Sequence, residues 1–211
     1  MQSETYSDFS KTIEEFVTDS GISSFGLIGF SSGGPFAVAT ASKLADRVSS
    51  LALISADGEY ANPELGVDIA SIYGGNTRAD LEKNHEAITK ANADNLAHSY
   101  ESMKNEERKR IAKADLAEAV KHGFRGVARD CILETQRWDF AVPQDWQVKT
   151  HIFHGTQDES VPLKVAQWYS SILPNSELHV VEGENHSMIR RKWEDVLKAI
   201  SSSVPSAKPA L

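Results

Sequence analysis

A serine flanked by glycines is the feature of this sequence that most clearly indicates chemistry. Gly29, Ser31 and Gly33 form the pattern G-x-S-x-G. An apolar run typical of a buried strand precedes the pattern, and an Ala-rich run typical of a helix follows it. A sharp strand-to-helix turn projects the serine hydroxyl, and the first N–H groups of the helix suit a developing negative charge. Ser31 is therefore the candidate nucleophile, and the backbone N–H of Ser32 is the candidate oxyanion donor.

The two glycines of this pattern are expected to prevent clashes between the strand and the helix. The alternative is a glycine-rich turn that binds phosphate at a helix N-terminus. Neither a G-K-[ST] motif nor G-x-G-x-x-G occurs, so the nucleophile is favoured. Ser32 is a poorer nucleophile because Phe30 occupies the position of its upstream glycine. Phe30 itself is expected to bind substrate as a pocket wall, with packing in the core as the alternative.

A serine nucleophile needs a base, and the chain has seven histidines. His186 follows the run ELHVV, which is predicted to be a late strand, and a polar turn. A loop at the end of a late strand is the expected place for such a base, so His186 is the candidate. His179 lies inside that strand, and three other histidines lie in the polar middle of the chain: His85, His98 and His122.

The base in turn needs a carboxylate that orients it, and this carboxylate is expected after the preceding strand. Asp158 follows the short apolar run 151–153. The chain order is then nucleophile, acid and base. Because the carboxyl ends of neighbouring parallel strands lie at one edge of a sheet, acid and base should meet there. Asp57, just after an earlier predicted strand, is the alternative acid, and Glu159 is a further candidate.

Strand and helix patterns alternate around these residues. Residues 1–56 are predicted to form the first part of an α/β core, in which strand, helix and strand make a βαβ unit of a parallel sheet. Residues 57–148 are polar and without a strong strand pattern, and they are predicted to form a helical lid. The α/β pattern returns over 149–204, and residues 205–211 are predicted to be a flexible tail.

The composition is that of a globular protein and excludes several classes. The 211 residues are 40% apolar and 25% charged, which is unlike a disordered chain, a collagen or a coiled coil. The net charge of −8 argues against nucleic acids and anionic membranes as partners. Cys131 is the single cysteine, so no internal disulfide can form. Without a signal peptide or a long apolar run, the expected location is the cytoplasm.

The chain resembles the α/β-hydrolase family, in the branch with an inserted helical lid. The resemblance lies in the stretches FGLIGFSSGGPFAVATA, IFHGTQDESVP and VVEGENHSMI, and GVARDCILETQRWDF is similar to the end of such a lid. It implies a serine hydrolase, most often a carboxylesterase, without cofactor or metal ion, that acts on a small acyl substrate. The serine at the turn distinguishes the chain from epoxide hydrolases and haloalkane dehalogenases, which use an aspartate. The resemblance does not select the substrate.

The chain departs from the family pattern before its first strand, which is predicted to begin at Phe25. Complete members carry four earlier strands and a His-Gly loop that supplies a second oxyanion N–H. We therefore expect an N-terminally truncated form with weaker activity. The strand before Ser31 should then lie at an exposed apolar edge of the sheet, which favours self-association. The alternative function is a non-catalytic interaction module that kept the fold.

Overall fold

A computed structural model of the chain describes residues 5–68, 70 and 77–202. Its described strands form one parallel sheet in the order β1-β2-β3-β4, with the bounds Phe25–Phe30, Val48–Ile54, Thr150–Gly155 and Ser176–Val181. The helices α1 to α7 span Tyr6–Asp19, Gly33–Lys43, Arg78–Tyr100, Glu106–Ala119, Arg125–Glu134, Leu163–Ile172 and Ile189–Ser202. The α/β fold with a parallel sheet is thus confirmed. None of the described helices is long and apolar enough to cross a bilayer.

The chain divides into two compact units. The sheet belongs to one unit, together with α1, α2, α6 and α7, and this unit includes the residues up to Val67 and from Arg137 onward. The other unit is Asp68–Gln136 and contains α3, α4 and α5. In its described part no strand occurs. The assignment of residues 57–148 as a lid stays a prediction, and the predicted tail over 205–211 lies outside the described residues.

The strand β2 lies at the centre of the core. Four consecutive residues, 51–54, are completely buried, as expected for a parallel strand covered on both faces. On one face of the sheet, residues of β2 and β3 pack against α7 and the turn before it, in a cluster of Ala52, Ile54, Phe153, Met188, Val196 and Ile200. Because these two strands are held on both sides, the loops at their carboxyl ends start from fixed positions.

The helix after the serine is held in place by α1. The Thr5 side chain caps α1 by accepting a hydrogen bond from the Asp8 N–H (3.1 Å). The rings of Tyr6 and Phe9 pack edge-on against Phe36 of α2, with centroids 4.8 and 4.9 Å away. This aromatic contact fixes α2 and therefore the turn from which α2 begins.

The strand β1 lies at an edge, since within the described residues it pairs only with β2. Its sequence, FGLIGF, has no charge and no proline, the residues that usually protect an edge strand. We propose that a second copy of the chain pairs along this edge, as the sequence led us to expect. Sedimentation velocity should then show a dimer whose fraction rises with protein concentration. A monomer throughout the concentration range would contradict this.

Candidate active site

Ser31 forms the turn between β1 and α2 in a strained backbone conformation. Its φ of 51° lies in the left-handed region, which residues other than glycine rarely adopt. The Ser31 N–H donates to the carbonyl of Ile54 (3.1 Å), and the Ser31 carbonyl accepts from the N–H groups of Gly34 (2.9 Å) and Asp57 (3.0 Å). Three hydrogen bonds therefore hold the turn at the carboxyl end of β1 and β2.

Two glycines make room for this turn, and they are not both the ones that the sequence pattern predicts. A Cβ at Gly29 would lie 2.9 Å from the Cβ of Ala37, and a Cβ at Gly34 would lie 2.6 Å from the Cβ of Ala56. A Cβ at Gly33 would meet nothing within 4 Å. The steric role predicted for Gly33 is therefore wrong, because Gly34 makes the close approach instead.

We expect Gly34→Ala to lower the free energy of unfolding by about 1–3 kcal/mol, because its methyl group would overlap Ala56. Gly33→Ala is the matched control, and we expect it to change stability by less than about 1 kcal/mol since its methyl group points into open space. Urea unfolding followed by circular dichroism measures both. Equal losses from the two substitutions would contradict the steric argument.

The three side chains predicted to act together are brought together in the structure. The Nε2 atom of His186 lies 3.0 Å from the Ser31 hydroxyl oxygen. The Nδ1 atom of the same ring lies 3.0 and 3.1 Å from the two carboxylate oxygens of Asp158. Asp158 follows β3 and His186 follows β4, so both reach Ser31 from the same edge of the sheet. We refer to Ser31, Asp158 and His186 as the triad.

The acid of the triad is buried and firmly oriented. Its side chain is 0% exposed, and its Oδ1 accepts hydrogen bonds from the N–H groups of Val161 (2.9 Å) and Ser160 (3.0 Å). Burial by itself would raise the pKa of Asp158, but the hydrogen bonds from His186 and from the Val161 N–H hold it below its ordinary value. Asp158 is therefore ionised at neutral pH.

The Asp158 carboxylate shifts the pKa of the base, His186, and fixes its tautomer. The hydrogen bond to Asp158 raises the pKa of His186, burial opposes this, and the charges of Asp158 and Asp57 add to it. The carboxylate accepts from the Nδ1–H and so leaves Nε2 free of a proton in the neutral ring. In this tautomer Nε2 accepts the hydrogen of the Ser31 hydroxyl.

The alternative acids have other positions. Asp57 is buried, and its carboxylate accepts a hydrogen bond from the Tyr60 hydroxyl. Burial raises the pKa of Asp57, while hydrogen bonds from Tyr60 and Ser32 lower it less. Its effect on His186 is through charge alone. Glu159 is exposed on the same loop as Asp158. The geometry therefore favours Asp158 as the acid.

Phe30 and Ser32 flank the nucleophile. The ring of Phe30 lies 5.2 Å from that of His186 and also packs on the core cluster under α7. Ser32 is the residue before α2, where N–H groups have no acceptor within the helix. The roles of these two residues, pocket wall and oxyanion donor, stay predictions.

A polar groove of about 590 Å³ opens beside the acid and the base, and residues 156–160 and 185–187 line it. Within the part of the chain that the structure describes, one group of three side chains is spaced to hold a metal ion. That group contains no member of the triad. The triad itself offers a hydroxyl, an imidazole and a carboxylate that are joined by hydrogen bonds.

Comparison with known proteins identifies the family to which this fold belongs. A family profile described as "alpha/beta hydrolase fold" matches residues 2–189. The chain is similar to an esterase from Exiguobacterium antarcticum, with a TM-score of 0.68, 19% identity, and 95% of this chain and 74% of that chain covered. No curated protein sequence matches the chain.

Two further solved structures have the same fold. A bromoperoxidase from Bacillus anthracis has a TM-score of 0.69 and 19% identity, over 95% of this chain and 75% of that chain. A hydrolase from Oleispira antarctica has a TM-score of 0.65 and 17% identity, over 95% of this chain and 73% of that chain. At such identities the likeness establishes the fold and leaves the reaction open.

Proposed function

This chain belongs to the α/β-hydrolase fold family, and we propose that it is a serine hydrolase that cleaves a carboxylic ester or a similar acyl bond. The observation that supports this most strongly is the continuous hydrogen-bonded chain from Asp158 through His186 to the Ser31 hydroxyl. A serine, an imidazole and a carboxylate joined in this order are the parts that nucleophilic acyl transfer needs. The similarity to the esterase from Exiguobacterium antarcticum supports an ester as the substrate class.

The proposed reaction proceeds through an acyl-enzyme. The Ser31 oxygen attacks the acyl carbon while His186 Nε2 takes the hydroxyl proton, and the Ser32 N–H donates to the oxyanion. His186 then gives that proton to the leaving alcohol, and the ester of Ser31 remains. Water attacks this ester with His186 again as the base. The bond between the acyl carbon and the Ser31 oxygen then breaks, His186 returns the proton to that oxygen, and the carboxylic acid leaves. Asp158 holds the tautomer of His186 and stabilises the imidazolium in both steps.

We infer two further properties from the sequence alone. Residues 57–148 would act as a lid that shapes an apolar pocket for the acyl or the alcohol group, and the protein would work in the cytoplasm. Neither assignment is needed for the proposed chemistry, which depends only on residues of the unit that contains the sheet.

The pH dependence follows from the base. Since His186 must be neutral to accept a proton and its pKa is raised, kcat/KM should fall as the pH is lowered, with a midpoint above about 6.5. A pH–rate profile with p-nitrophenyl acetate measures this. NMR titration of the His186 ring in Asp158→Asn should give a lower pKa than in the wild type. A midpoint below 6.5, or an unchanged ring pKa in the variant, would contradict the coupling.

The test of the proposed function is labelling with a fluorophosphonate, which reacts with activated serines. We expect the mass of the intact wild-type protein to increase by one adduct, and labelling of His186→Ala to be much slower. His122→Ala, which changes an exposed histidine of the helical unit, is the matched control and should label at the wild-type rate. If the folded wild-type protein forms no adduct, the proposed function is wrong and the non-catalytic module is favoured.

A further inference from the structure

Two neighbouring strands carry three side chains of the kinds that bind metal ions. His151 lies on β3, and Glu177 and His179 lie on β4. In the parallel register His151 is opposite Glu177, and Phe153 is opposite His179. Glu177 and His179 are two residues apart and therefore lie on the same face of the sheet. The strand pairing thus brings the two imidazoles and the carboxylate together, although β3 and β4 are separated by α6.

The distances within this group suit a common ligand position. His151 Nδ1 and His179 Nε2 are 3.2 Å apart. Glu177 Oε2 lies 3.8 Å from His151 Nδ1, and Glu177 Oε1 lies 3.8 Å from His179 Nε2. Two ligands about 2.0–2.1 Å from a tetrahedral zinc ion are about 3.3–3.4 Å apart. The two nitrogens already have nearly this separation, and the carboxylate needs to move by about half an ångström.

We propose that His151, Glu177 and His179 bind a zinc ion, with water as the remaining ligand. Two imidazole nitrogens and one carboxylate form a donor set that favours zinc. Magnesium and calcium prefer oxygen ligands alone. The site is separate from the triad and does not depend on the proposed hydrolase activity.

The group is partly fixed before a metal ion arrives. The side chain of His151 is 6% exposed, and the ring of His179 stacks on Phe153 with centroids 4.4 Å apart and planes 14° apart. Both imidazoles are therefore held in position. The Glu177 side chain is 54% exposed, so it can rotate towards the ion and leave a side open to water.

One positive charge opposes zinc at this position. The Lys149 ammonium lies 3.4 Å from a Glu177 oxygen and competes with an ion for that carboxylate. Without a metal ion, the group consists of a hydrogen bond between His151 and His179 beside the ion pair of Lys149 and Glu177. The metal site and this purely structural interpretation differ in what happens when zinc is added.

Bound zinc would join the two strands from whose carboxyl ends the acid and the base emerge. Since an ion that binds the folded chain stabilises it, zinc should raise the unfolding temperature. The acid and the base of the triad lie in loops beyond the opposite ends of these strands, so we expect turnover by the zinc-loaded protein to match that of the metal-free protein.

The test uses the full chain, freed of metal with EDTA, and zinc chloride as the probe. Equilibrium dialysis and calorimetry should find one zinc ion per chain. His179→Gln and Glu177→Gln should each weaken binding by at least about tenfold, since even loss of a supporting partner of a ligand costs 10–100-fold. Lys149→Gln should tighten binding, and His122→Gln should leave it unchanged. Circular dichroism of each variant confirms that it is folded.

Two results would overturn the proposal. The first is that the folded wild-type protein binds no zinc in dialysis. The second is that His179→Gln and the wild type bind zinc equally, which would place the ion elsewhere, for example at His186 and Asp158. In the second case zinc would also inhibit ester hydrolysis, which a site on β3 and β4 should not do. Fluorophosphonate labelling without zinc is independent of all these results, so the two proposals fail or survive separately.

Discussion

We expect Ser31→Ala to abolish fluorophosphonate labelling and to lower kcat for ester hydrolysis by about 10⁴–10⁶-fold, as removal of the serine does in other serine hydrolases. The reason is that no other hydroxyl is hydrogen-bonded to His186 in the described structure, and the methyl group of alanine cannot form an acyl-enzyme. Intact-mass analysis and steady-state kinetics with p-nitrophenyl esters measure the two effects.

Ser32→Ala is the matched control for this substitution, since it removes a neighbouring hydroxyl and keeps the backbone N–H that would donate to the oxyanion. We expect it to label fully and to keep most of its activity. Full labelling of Ser31→Ala, or loss of the label in Ser32→Ala, would show that the wrong serine has been assigned as the nucleophile.

The second large effect is expected from Asp158→Asn, at about 10⁴-fold in kcat. The Oδ1 of Asp158 accepts the N–H groups of Ser160 and Val161. The oxygen of the asparagine should keep these two bonds, so its NH₂ group would face Nδ1 of His186. Nδ1 would then have to be the acceptor, and the proton would move to Nε2, which could no longer take one from Ser31. Steady-state kinetics with the same esters measure the loss.

Asp57→Asn is the comparison that separates the two candidate acids. Asp57 hydrogen-bonds to Tyr60 and reaches His186 only through its charge, so we expect a loss in kcat below about tenfold. Should Asp57→Asn cost more than Asp158→Asn, Asp57 would be the acid and the loop after β2 would supply it.

The triad could be predicted from sequence because each member follows a strand that local patterns identify. Ser31 is marked by its glycines, and His186 and Asp158 each come after a short apolar run. Parallel strands end at one edge, so three positions far apart in sequence could be expected to meet there. The sequence could not decide between Asp158 and Asp57, because that depends on which carboxylate the loop N–H groups orient towards the ring.

Other features depend on distances between elements, and the sequence pattern does not contain them. Gly34 is needed because Ala56, the second residue after β2, packs against the start of α2, and nothing in the G-x-S-x-G pattern indicates that contact. The sequence does not indicate the group of His151, Glu177 and His179 for a similar reason. His179 has the pattern of an ordinary strand residue, and its proximity to His151 follows only from the register of β3 and β4.

The left-handed backbone conformation of Ser31 makes the residue needed for the proposed chemistry also one that lowers the stability of the fold. A residue other than glycine in this conformation costs about 1–3 kcal/mol, and glycine adopts it freely. Ser31→Gly should therefore be a stabilised protein that cannot catalyse. Laboratory evolution that rewards heat resistance alone would drift towards this inactive variant, so each round needs a selection for turnover as well.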